Sequence, residues 1–252
     1  MSNSIIPGAE PLSHVGTRDA GVLVLHGFTG NPGSMRGLAE ACAAAGFHVE
    51  MPRLAGHGTI VEDMIPTRWS DWSADADAAH AALSRRTANI VVMGLSMGGS
   101  LTLWVASRHS DVKGIVCINP ATRPQPPEVL DMLKGMIDSG SVVMDGIGSD
   151  IAEPGVVETA YSGTPLAALL SFQTDGLTPL AAQYGSLTMP LLLFTSVQDH
   201  VVSPEDSHAL AAEYGGTVEH VLLERSYHVA TQDYDKDLIF ARAVEFAGRV
   251  SA

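Results

Sequence analysis

Positive charge is almost missing from one long stretch of this chain. Its 252 residues hold 14 Lys and Arg against 28 Asp and Glu, a formal net charge of −14. Between Pro124 and Glu224, Lys134 alone faces 14 carboxylates. A nucleic-acid-binding surface needs a cationic footprint, so that class of partner is excluded. Phosphate esters and coenzyme A thioesters are disfavoured as substrates on the same ground, whereas a neutral substrate suits an acidic rim. Cysteine is scarce too. Cys42 sits in an Ala-rich helical run and Cys117 inside the apolar stretch GIVCIN. Both read as small buried hydrophobes in a reducing compartment. No Cys/His grouping has metal-ligand spacing, and the ten histidines are scattered, so neither a metal nor a cofactor is expected. No apolar run reaches the ~18 residues of a membrane span. The start, MSNSIIPGAEPLSHVGTRDAG, lacks the basic region and apolar core of a signal peptide, so a cytoplasmic protein is expected.

What is present is a strand and helix rhythm. The short apolar run Gly21 to His26 reads as a strand buried on both faces of a parallel sheet. An Ala-rich helix over 34–45 follows, closed by Gly46, then a strand over 47–51. A turn-rich loop spans 52–66 and a helix spans 67–86. Strands are expected over 90–93 and 114–118. The rhythm stops at 121 and returns at 190, with a strand over 190–197, a helix over 204–214, a strand over 217–223 and a helix over 234–249. This predicts an α/β fold with a mostly parallel central sheet and helices on both faces. Residues 1–120 and 189–252 form the core, and 121–188 form an inserted cap or lid. Val129, Leu130, Leu133, Met136 and Ile137 mark one helical face within the insertion. That face is either packed on its own domain or lines an acyl tunnel and touches lipid.

The candidate chemistry lies in IVVMGLSMGG, residues 90–99. A β-branched apolar run breaks into Gly94-Leu95-Ser96-Met97-Gly98, and a helical pattern follows. G-x-S-x-G between strand and helix is a nucleophile elbow. A serine hydroxyl needs a base, and the base an orienting acid, in the chain order Ser, acid, His for this fold. Asp199 follows a late strand by a short turn and is the best acid, its alternative being a turn or cap residue. Glu205 and Asp206 stand where a helix start favours carboxylates anyway. His228, between the last strand and the last helix, is the best base. His220 lies within a strand, His208 within a helix, and His200 beside the acid. The oxyanion hole is assigned to the N–H groups of Met97, after the nucleophile, and Phe28, in the loop after the early strand. His26 reads as a brace for that loop.

On LHGFTGNPGSMRGLAE, PRLAGHGT, GLSMGG, QDHVV and SYHVATQDYD, the chain resembles the bacterial monoacylglycerol lipases and related carboxylesterases of the α/β-hydrolase superfamily. The resemblance implies the same triad, Ser96, Asp199 and His228, with Phe28 and Met97 as oxyanion donors. The stretch Ile147-Gly148-Ser149-Asp150 through Glu158 and Tyr161 is similar as well, and implies Glu158 as an acidic residue contacting glycerol hydroxyls. A solvated helix face is the alternative for Glu158. The expected activity is hydrolysis of carboxylic esters, foremost monoacylglycerols, through an acyl-enzyme. Other short to medium-chain esters, thioesters and a non-catalytic receptor role are the alternatives. The expected partners are a small neutral ester or lipid and, through the cap, transient contact with a membrane or micelle. The chain is expected to act as a monomer or homodimer.

Overall fold

The computed structural model describes residues 3–252. A seven-stranded sheet forms the centre, in the order β1-β3-β2-β4-β5-β8-β9. Its strands are β1 (Leu12–His14), β2 (Gly21–Leu25), β3 (His48–Met51), β4 (Ile90–Leu95), β5 (Val112–Ile118), β8 (Leu191–Ser196) and β9 (Val218–Leu223). β1 pairs antiparallel with β3, Leu12 opposite Met51, and the remaining neighbours run parallel. Every residue of β2, β4 and β8 is buried. Such strands read as unbroken apolar runs because helices cover both sheet faces.

One face is covered by α1 (Arg36–Ala44) and α9 (Lys236–Val250), the other by α3 (Trp69–Ser84) and α4 (Met97–Arg108). α8 (Pro204–Glu213) joins β8 to β9, and the single turn α2 (Val61–Met64) lies in the loop after β3. Trp72 is fully buried on α3 and Phe246 nearly so on α9. Between β5 and β8 the chain leaves the sheet. It forms α5 (Pro127–Asp138), a small antiparallel ribbon of β6 (Val143–Asp145) and β7 (Gly163–Pro165), then α6 (Leu166–Ser171) and α7 (Thr178–Ala181). A π-helical turn, Phe172–Leu177, connects the last two. Among the described residues no helix is long and apolar enough to cross a membrane.

Three local departures have physical reasons. The helix expected over 34–45 opens as a 3-10 turn, Pro32–Met35, because Asn31 accepts the Gly33 N–H and Pro32 pre-sets the first turn. The 52–66 loop holds the one-turn α2, too short to show periodicity. The ribbon in the insertion is announced by no periodicity: Val142, Val143 and Met144 form too short an apolar run, and β6 is exposed along its length. The functional consequence of the topology lies at β2 and β4. After β2 the chain winds outward to β3, then returns to β4 on β2's other side. Loops leaving the carboxyl ends of these two strands therefore diverge and leave a crevice, where ligands bind in open α/β sheets.

Candidate active site

Ser96 stands at that crevice. It follows β4 with φ 55° and ψ −120°, a region a non-glycine residue rarely occupies. Crowding enforces the turn. A Cβ on Gly94 would lie 2.0 Å from the Gly98 carbonyl oxygen, and one on Gly98 would lie 2.1 Å from that of Leu25. Glycine at both positions lets β4, α4 and β2 close on one another. The Ser96 N–H donates to the Ile118 carbonyl at 3.0 Å, and its carbonyl accepts from Gly99 and Ser100 at 2.9 and 3.2 Å. The side chain is thus held clear of the sheet, at the N-terminus of α4.

Asp199 and His228, far apart in the chain, meet directly. Asp199 Oδ2 is 2.7 Å from His228 Nδ1, and the side chains are 2% and 8% exposed. The other Asp199 oxygen accepts the N–H groups of Val201 and Val202, each at 2.8 Å. Nδ1–H donated to the carboxylate leaves Nε2 as the basic nitrogen, the tautomer a serine base requires. The rival side chains go elsewhere. His220 Nε2 lies 2.8 Å from Thr195 Oγ1 on β8, with the His208 ring 5.1 Å away. Glu205 and Asp206 lie in the first turn of α8.

The loop after β2 faces the serine. A Cβ on Gly27 would lie 3.4 Å from Ser96 Cβ. Met97 opens α4 directly after Ser96, so its N–H is one of the first-turn donors that have no acceptor within the helix, and Phe28 follows Gly27 in the loop after β2. The Phe28 ring is gripped between Trp72 edge-on at 5.6 Å and Phe172 stacked at 6.0 Å. Phe172 in turn stacks on Trp69 at 5.8 Å. Aromatic walls of this kind fix the loop and form an apolar surface beside it. His26 behaves as a brace. Its Nε2 accepts the Leu54 N–H at 3.1 Å, and its Nδ1 lies 3.0 Å from the Gly27 carbonyl. Burial and the neighbouring His57 hold its pKa well below the usual histidine range.

Glu158 reaches this crevice from the insertion. Its N–H donates to Ser149 Oγ at 2.9 Å, and its Oε1 lies over Gly30, 2.8 Å from where a Cβ would stand. The residue as a whole is half-buried, with the carboxyl at its deep end. Burial pushes the carboxyl pKa up, and His228 draws it partly back. The segment it belongs to has no regular structure, so Glu158 stands on no helix face, and it is sewn to the β2 loop: Tyr161 N–H donates to the Thr29 carbonyl at 3.0 Å, and Asn31 Nδ2 donates to the Thr159 carbonyl.

Three supporting residues escape sequence reasoning. Asp150 Oδ2 accepts the His228 N–H at 3.0 Å, and its Oδ1 lies 2.8 Å from His200 Nδ1. Asn119, at φ 43° after β5, donates to the His228 carbonyl at 2.8 Å and accepts the Ser196 N–H at 2.7 Å. Asp233 accepts from Tyr227, Ala152 and Glu153, tying the histidine loop to the insertion. A carboxylate or amide in a turn carries no sequence signal for so distant a backbone partner.

Residues 16–147 match the Hydrolase_4 family, described as serine aminopeptidase, S33. The sequence is 42% identical over 245 residues to the thermostable monoacylglycerol lipase of Bacillus sp. (strain H-257), covering 96% of this chain and 95% of that one. It is 26% identical over 230 residues to a carboxylesterase of Bacillus subtilis (strain 168), covering 90% and 92%. Among solved structures, one described with the metagenome-derived lipolytic enzymes LipS and LipT superimposes with a TM-score of 0.92 at 43% identity, over 98% of this chain and 100% of that one.

Proposed function

The chain belongs to the serine aminopeptidase S33 family, and from that premise we propose that it hydrolyses neutral carboxylic esters, with monoacylglycerols as its substrate class. The observation that carries the chemistry is the buried His228–Asp199 pair at 2.7 Å, placed at the sheet end where Ser96 is presented. The identity of 42% to a monoacylglycerol lipase supports the substrate class.

In this reading Ser96 is the nucleophile. His228 Nε2 takes its proton as Oγ attacks the ester carbonyl, and Asp199 steadies the imidazolium. The N–H groups of Phe28 and Met97 receive the oxyanion, each donor typically worth about 3 kcal/mol of barrier. The protonated His228 then gives its proton to the leaving alcohol oxygen. Water, deprotonated by the same imidazole, attacks the acyl-enzyme and frees the carboxylic acid. Glu158 accepts hydrogen bonds from the polyol leaving group, and residues 121–188 act as the cap over the crevice. Apolar side chains on that cap stand open to solvent, Ile147 72%, Val157 73% and Met132 57% exposed. They suit transient contact with the lipid aggregate in which such substrates reside.

The test is steady-state hydrolysis of a monoacylglycerol series, with di- and triacylglycerols and acyl-coenzyme A as controls. Monoacylglycerols should be turned over and the bulkier or anionic acyl donors rejected by at least about 10-fold in kcat/KM, a margin of ~1.4 kcal/mol. Ser96→Ala should keep the fold and lose more than about 10⁴-fold in rate. A preference for acyl-coenzyme A would overturn the substrate assignment. Substantial turnover by Ser96→Ala would overturn the mechanism.

A further inference from the structure

Away from the crevice, α3 and the turn between α4 and β5 gather four titratable side chains. Asp77 and His80 lie one turn apart on α3. His109 follows the last residue of α4, and Asp111 precedes β5. One ring nitrogen from each histidine and a carboxylate oxygen of Asp111 all fall within 4.8 Å of one another. The two imidazoles face each other with centroids 4.0 Å apart.

Two features distinguish this group from a surface charge cluster. His80 is 5% exposed, its Nε2 lies 3.7 Å from Asp111 Oδ1, and that nitrogen has no hydrogen-bond partner among the described residues. A buried polar atom left unpaired is costly and calls for a partner from outside the chain. The second feature is Asp77, whose Oδ1 is 2.8 Å from His109 Nε2. An imidazole that gives one N–H to a carboxylate keeps its lone pair on the other nitrogen, here Nδ1, and becomes a stronger donor. That carboxylate–histidine relay is the usual support behind a metal-bound histidine.

We propose that His80, His109 and Asp111 bind one divalent transition-metal ion of the zinc class, with Asp77 orienting His109 and water completing the shell. Two imidazoles and one carboxylate suit zinc, cobalt or nickel, whereas magnesium and calcium require oxygen donors. Burial and the neighbouring His109 lower the His80 pKa, which keeps its imidazole in the neutral, ligating form at neutral pH. Metal–donor distances of about 2.0–2.2 Å require the three donors to draw closer than they stand. Asp111, 44% exposed in a turn, is free to swing inward. The ion would pin the end of α3 to the turn that feeds β5, a structural role remote from Ser96.

The experiment titrates chelator-treated, buffer-exchanged protein with Zn²⁺ by calorimetry and with Co²⁺ by visible absorption. Saturation with one equivalent should raise the melting midpoint by about 5 °C and give Co²⁺ ligand-field bands. His109→Ala and Asp111→Asn, both at solvent-accessible positions, should each weaken binding by at least about 10-fold and leave the metal-free midpoint little changed; Asp77→Asn should weaken it by about 10-fold through loss of the relay alone. Absence of both the midpoint rise and the bands, or Zn²⁺ affinity unchanged in both His109→Ala and Asp111→Asn, would overturn the proposal.

Discussion

Ser96 holds a backbone conformation that costs roughly 1–3 kcal/mol in a residue with a Cβ. Its φ of 55° is imposed by neighbours on both sides, since Gly94 and Gly98 leave no room for the strand and helix to part. Relieving the strain locally therefore should stabilise the protein. Ser96→Gly removes the Cβ and adds freedom to the unfolded chain, a net gain of about 1 kcal/mol. The expected result is a melting midpoint higher by about 2–4 °C in an inactive protein, read by calorimetry. A lower midpoint would mean that Ser96 is not strained. This residue was legible in the sequence because the elbow needs glycines at fixed offsets between a buried strand and a helix. Asp199 and His228 were legible through chain order and their places after late strands. Asp150 was not. Its carboxylate serves a backbone N–H 78 residues further on, and a lone acid in the turn GSD looks like any turn former. The His80, His109 and Asp111 group was equally hidden, because its donors come from separate elements and share no spacing.

Elements carry the same lesson about range. The parallel strands could be read because burial on both faces forces unbroken apolar runs. β1, LSH, could not, since three partly exposed residues at an antiparallel edge carry no pattern. The loop bearing His228 has no regular structure of its own, and its shape comes from borrowed partners. Asp150 holds the His228 N–H, Asn119 the His228 carbonyl, and Asp235 the N–H groups of Arg225 and Ser226. Asp150 also takes the His200 N–H at 3.2 Å, so one carboxylate joins the loops that carry His228 and Asp199. Asp150→Ala leaves these donors without an acceptor and loosens the two loops together. Misplacement by about 1 Å costs up to ~10²-fold in rate. The expected outcome on a soluble ester is a kcat lower by about 10–100-fold with KM little changed and the far-ultraviolet circular dichroism retained. An unaltered kcat would show that Asp199, Asn119 and Asp235 keep His228 in place without Asp150.

At the scale of the whole molecule, acid should unfold this protein through its buried histidines. His26 and His57 lie fully buried under the carboxyl edge of the sheet, ring centroids 5.0 Å apart. Burial drives the His57 pKa from 6.5 down to about 4, against raising hydrogen bonds to the backbone at Ala55 and Leu54, and the Arg53 charge lowers it further. A folded-state pKa below the unfolded one means that the unfolded chain binds the proton first. The contribution is therefore complete above pH ~6.5 and is lost as pH falls toward about 4, on the order of 3 kcal/mol for His57 alone. Half-buried carboxyls work in the opposite sense. The pKa values of Asp75, Glu158 and Asp206 are raised chiefly by burial, so their protonation favours the fold as pH drops. The comparison that isolates histidine is His57→Phe, which keeps an aromatic body against Phe28 and Trp72 and cannot titrate. Denaturant midpoints measured from pH 7 to pH 4 should fall more gently in this variant than in the parent, whatever the offset between them at pH 7. Parallel slopes would mean that His57 stays neutral in the unfolded chain too, or takes up its proton without leaving the fold.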